Sequence, residues 1–206
     1  ILPSATSLEA FFTSNHEKNM AVITTAKSME SKPIFQWPNN YSWTYNGNLA
    51  GKSEIKEAVK SQGGNTDALL RFSIMWSEGN SRDDSDLDAH CQEPRNLIYY
   101  GNRRSPSGGF LDIDIQRPLD HKKRGAKVVE NIAYAKNCLE TMPAGTYAFK
   151  VHQFSGRNSQ GFKAEIEVND ELYSYEYNAP VRGHIDVATV TKHANGELSI
   201  HHVLPV

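Results

Sequence analysis

The chain has 206 residues, a formal net charge of -2 and 38% hydrophobic side chains, enough for one sandwich-sized core with an appendage. The near-neutral balance argues against the clustered basic face of a nucleic-acid binder. No apolar run approaches the roughly 20 residues of a membrane helix, so membrane insertion is not expected either. Two cysteines, Cys91 and Cys138, are too few for a disulfide framework and read as one bridge or, preferably, two buried thiols. The first residue is Ile1 rather than Met, the start expected of a processed or excised fragment, and the compartment stays unassigned.

Residues 1–31 are polar and weakly patterned, with "SLEAFF" (Ser7 to Phe12) as a short helix capped by Ser7. They read as an N-terminal arm or linker, and residues 32–206 as the main domain. Short strands are predicted at Ile34 to Trp37 and Ser42 to Tyr45. "GNLAGKS" (Gly47 to Ser53) resembles a phosphate-binding loop, but only three residues separate its glycines where four are required. From Pro33 onward "KSEIKEAVKSQGG" is the one helical stretch, over Ser53 to Gln62, with Ile55, Ala58 and Val59 on one face and Gly63-Gly64 ending it.

Alternating runs then predict strands at Leu69 to Trp76, Leu97 to Tyr100, Phe110 to Ile115, Thr146 to Phe154, Phe162 to Val168, Leu172 to Tyr177, Ile185 to Thr191 and Leu198 to Val203. Turns are marked at Asn169-Asp170 and at Asn195-Gly196, a pair that tolerates the positive φ of a type I′ turn. Many short strands with one helix predict an all-β, antiparallel β-sandwich of jelly-roll or Ig-like kind.

"DSDLDAHC" interleaves Asp86, Asp88 and His90 with Leu87, Ala89 and Cys91, the period of a strand with one buried face. "GGFLDIDI" does the same with Asp112 and Asp114 against Leu111, Ile113 and Ile115, and Glu130 and Asn131 follow in "KVVENIAY". If these carboxylates converge, two unit charges about 4 Å apart repel by ~4 kcal/mol at an effective dielectric near 20. A divalent cation answers that repulsion, and an all-oxygen set favours Ca²⁺. Arg82, Arg95, Arg103, Arg104 and Arg117 offer a second answer as bidentate partners. Capping of loop amides by the aspartates is a third. The expected metal set is Asp86, Asp88, Asp112, Asp114 and Glu130, gathered at one end of the sandwich.

The order "DSDLDAHCQEP", "IYYGN", "SPSGGFLDIDI", "ENI", "MPAGTYAFKVHQF", "GFKAEIEV" resembles the YfaP-type β-sandwich domain of bacterial and phage proteins, over about Leu70 to Tyr177. The longer link "RPLDHKKRGAKVVENI" departs from that pattern. The Asp-Leu-Asp of Asp86 to Asp88 is also similar to TerD-like sandwiches, which bind calcium. The YfaP-type resemblance implies a fold and an acidic site, with no reaction attached.

Tyr173, Tyr175 and Tyr177 alternate onto one face, which if exposed would stack on a sugar or peptide, and if not packs against the second sheet. His184, His193, His201 and His202 lie near the C-terminus, but adjacent strand residues such as His201 and His202 point to opposite faces. No Gly-x-Ser-x-Gly elbow or Cys/His signature frames a nucleophile. The function expected is therefore a non-catalytic binding or structural module, calcium-stabilised, within a larger bacterial or phage surface or assembly protein that engages a protein or a glycan. The alternative is a carbohydrate-active hydrolase working through the acidic cluster.

Overall fold

A computed structural model describes residues 53–78, 82–123 and 125–206. The predicted arm, its helix and the two strands before residue 46 lie outside these residues. Helix α1 (Glu54–Ser61) is followed by strands β1 (Ala68–Trp76), β2 (Asp86–Gln92), β3 (Leu97–Ile98) and β4 (Gly109–Ile113). A short helix α2 (Pro118–Lys123) precedes β5 (Val128–Ala135) and a 3₁₀ turn at Lys136–Cys138. Then come β6 (Gly145–Ser155), β7 (Phe162–Val168), β8 (Glu171–Tyr177), β9 (His184–Lys192) and β10 (Leu198–His202).

These strands form two five-stranded antiparallel sheets, ordered β4-β5-β1-β7-β8 and β10-β9-β6-β2-β3. The fold is the all-β antiparallel sandwich that the alternating runs predict. Strand β1 sends Leu70, Phe72, Ile74 and Trp76 into the core, and β6 answers with Tyr147, Phe149 and Val151. The rings of Phe72 and Phe149 lie 5.1 Å apart across the two sheets. The two thiols are free and buried: Cys91 within the core, Cys138 against the Gly108 carbonyl.

Helix α1 buries Ile55, Ala58 and Val59. Its end is a Schellman motif: Gly63, at φ 82°, donates to Lys60 and Gly64 donates to Val59. Gly64 lies so close to Ile113 and Val59 that a β-carbon there would sit 2.6 Å from Ile113 Cδ1. The opposite side of β1 is covered as well, which is why Arg71 is 0% exposed. Its guanidinium is bonded to Glu165, Glu167 and Ser73, as a buried charge must be.

The two hairpin turns differ. Asn169 and Asp170 have φ of 55° and 63°, the type I′ geometry matched to strand twist. At Asn195-Gly196 only the glycine has positive φ, 89°. There Gly196 donates to His193 and His193 to Glu197, so a five-residue loop replaces the expected two-residue turn.

Two elements go beyond the predicted ones. Strand β5 is buried at every position from Val128 to Tyr134 and so shows no alternation. Helix α2 carries Pro118 at its first position, a start signal on an otherwise polar stretch.

Candidate metal centre

The site forms where β2 loses its neighbour. Strand β2 pairs with β6 from Asp86 to Gln92, but β3 covers its other edge only at Cys91 and Gln92. Beyond β3 the Ala89 amide would be bare. Glu130, on β5 of the facing sheet, accepts it with Oε2 at 2.7 Å. Its Oε1 accepts the Ile115 amide at 3.3 Å, just past the end of β4. This carboxylate is completely buried, and burial pushes its pKa well up despite the Ala89 amide.

Around it gather three aspartates. Ligand oxygens of Asp88, Asp114 and Glu130 all lie within 4.8 Å of one another. Asp86 is two residues from Asp88 on the same strand, and its pKa is raised to about 6 by burial first, then by Asp88 and Asp114. Burial also raises Asp88, with the His152 hydrogen bond opposing it. Asp86 Oδ1 and Asp114 Oδ1 are buried without a hydrogen-bond partner among the described residues. Arg103 reaches Asp114 Oδ2 at 3.7 Å from a half-exposed position, too far for a bidentate pair.

Asp112, expected in the same set, is elsewhere. The β4–β5 ladder slips between Leu111 and Ile113, so the strict alternation assumed from sequence breaks there. Asp112 then accepts the Asn65 amide at 2.6 Å and Asn131 Nδ2 at 2.8 Å, on the side of Gly64 and α1. Asn131 is thereby also removed from the acidic centre. Other acidic residues nearby are loop caps: Asp83 accepts Ser85 N, Ser85 Oγ and Gln160 N. Glu93, buried near Cys91, accepts from Tyr134, Ser105 and Ser107.

The tyrosines of β8 do not make an exposed strip. Tyr175 is 2% exposed and bonds His202 Nδ1 through its hydroxyl at 2.8 Å. Tyr173 and Tyr177 pack partly buried against the core, Tyr177 stacked on Phe162 at 5.5 Å. They are core because β8 closes the edge of its sheet with that face turned inward.

The C-terminal histidines do not form a group. His193 bonds Ser199, His201 lies opposite Thr189, and His202 contacts Tyr173 and Tyr175. His184 instead meets His90 and His152, three strands brought together by pairings of Asp88 with His152 and His152 with His184. Each of these three residues lies on a strand, but only the register, which sequence does not reveal, makes them neighbours.

No family model matches this chain, and no curated protein does. Two solved structures resemble it. One is a protein of unknown function, SAV2460, with 13% identity, TM-score 0.47, and 65% of this chain and 85% of that chain covered. The other is a homologue of the telluride resistance protein (TerD), SCO6318 from Streptomyces coelicolor A3(2). It has 11% identity and TM-score 0.48, with 67% of this chain and 90% of that chain covered. At these identities neither neighbour lends the chain a ligand or a partner.

Proposed function

We propose that this sandwich is a non-catalytic binding module stabilised by a calcium ion held by Asp86, Asp88, Asp114 and Glu130. The observation that carries it is the convergence of Asp88, Asp114 and Glu130 oxygens within 4.8 Å beside two buried carboxylate oxygens that lack any partner. Without a cation, such a cluster must hold protons or endure repulsion; burial first, then the neighbouring carboxylates, raise the pKa values of Asp86 and Glu130. A cation with oxygen ligands relieves both, and calcium's flexible shell suits ligands drawn from two sheets better than the strict octahedron of magnesium. Water completes the shell. Three carboxylates aimed at one point suit a cation more than an acid and a base set across a sugar.

The wider setting, read from the sequence resemblance, is a larger bacterial or phage surface or assembly protein, with a protein or glycan as partner. The ion's role is then to fasten β2 to β5 and hold the two sheets in register.

The test is thermal melting of the chelator-treated chain. Calcium at millimolar concentration should raise Tm by mass action, because the unfolded chain cannot assemble the ligands. Magnesium should do much less. Asp114→Asn should abolish the shift and Asp112→Asn should leave it intact. A Tm indifferent to calcium and to chelator overturns the proposal.

A further inference from the structure

On one face of the β9-β6-β2 sheet three imidazoles meet. The ring centroids of His152 and His184 are 4.4 Å apart, those of His90 and His152 5.0 Å, and those of His90 and His184 5.5 Å. Each ring comes from a different, hydrogen-bonded strand, so the backbone fixes the spacing. We propose that His90, His152 and His184 form a site for a borderline divalent transition metal, zinc above all, with Asp88 orienting His152 from behind.

Two observations beyond the clustering support this. First, His90 is 7% exposed and its Nε2 is buried with no hydrogen-bond partner among the described residues. A buried polar atom left unpaired is costly, so such atoms are uncommon without a ligand to satisfy them. Secondly, His152 Nδ1 lies 3.1 Å from Asp88 Oδ2. A carboxylate on one ring nitrogen fixes the tautomer and turns the other nitrogen towards a metal, the usual outer-shell arrangement of ligating histidines. Ligand atoms of Asp88, His90 and His152 are within 4.8 Å of one another; His184 is outside that set, and its exposed ring turns in to complete the shell.

Imidazole suits zinc, copper and nickel, whereas calcium takes oxygen. The site is therefore chemically distinct from the acidic centre, although Asp88 borders both. The nearest cation, Lys150, is drawn to Asp186 at 3.1 Å. His184 is exposed, so the site opens to solvent. Three histidines leave a fourth tetrahedral position for water or for a donor from a partner.

The full chain, stripped with chelator, is titrated with Co²⁺ as the spectroscopic stand-in for zinc. We expect visible absorption of tetrahedral intensity saturating at one equivalent and removed by one equivalent of Zn²⁺. His184→Gln, at an exposed position, and His90→Gln should each weaken zinc binding by more than the roughly 10–100-fold that loss of an outer-shell partner costs. Because Asp88 borders both centres, the control is Asp114→Asn, which belongs to the acidic centre alone: it should abolish the calcium shift in Tm and leave the cobalt band in place. A chain that takes up neither cobalt nor zinc at micromolar metal overturns the proposal. So does binding that survives unchanged in both variants, or a cobalt band that is lost in Asp114→Asn.

Discussion

Glu130 stands in for a strand: its carboxylate accepts the Ala89 amide from the opposite sheet at 2.7 Å, on the edge of β2 that β3 leaves uncovered. One side chain thus both closes a ladder and joins the layers of the sandwich. Glu130→Ala should strand the Ala89 and Ile115 amides in the interior, at about 1–3 kcal/mol for each. Urea denaturation of wild type and variant in chelator should show a lower midpoint with an unchanged slope.

The raised Asp86 gives a pH dependence of definite sign. Its folded pKa of about 6 lies above the ordinary 3.8, so the folded state binds the proton more tightly. That contribution is fully present below about pH 4 and is lost as pH rises through 6. Burial moves His90 the other way, down to about 4, so its contribution is full above about 6.5 and falls away as pH drops through 4. The comparison with Asp86→Asn isolates the aspartate. In chelator the variant should melt above wild type at pH 7.5, with the gap shrinking towards pH 4. An equal gap at both pH values contradicts this.

Arg71 is fully enclosed and bonds Glu165 and Glu167, the second of which it shares with Lys56. Arg71→Ala should cost on the order of 3 kcal/mol, because it removes the one fully buried charge that both carboxylates bond. The readout is again the denaturation midpoint. Glu165→Gln added to that variant should recover part of the loss.

Asp170 sits at φ 63° in the β7–β8 turn. Asp170→Gly completes the Asn-Gly pair that type I′ turns prefer and should raise stability on the order of 0.5–1 kcal/mol. Asn195→Gly should bring no such gain, because Asn195 does not have positive φ.

Where the sequence alternates, the sandwich is legible from it. Phe162–Val168 is found at its predicted bounds, and β2 keeps its alternation of Leu87, Ala89 and Cys91 with Asp86, Asp88 and His90 in residue type, although all six are buried. Alternation fails where both faces are covered, as in β5, whose Glu130 is a polar residue serving the core. It fails also at the slip in β4, which sends Asp112 to Asn131 while Asp114 stays with Glu130. The acidic centre could be anticipated because its members sit in short motifs. The histidine group could not, since residues 90, 152 and 184 meet only through strand register.

The two buried thiols make the protein its own clock. Cys91 lies wholly within the core, and burial pushes its ionisation far up, so an alkylating reagent can reach its thiolate only when the sandwich opens. Cys138, at the rim beside Gly108, needs only the 3₁₀ turn to lift. Labelling at residue 91 therefore times global opening and labelling at residue 138 times local fraying. A metal that clasps β2 to β5 should slow the first far more than the second.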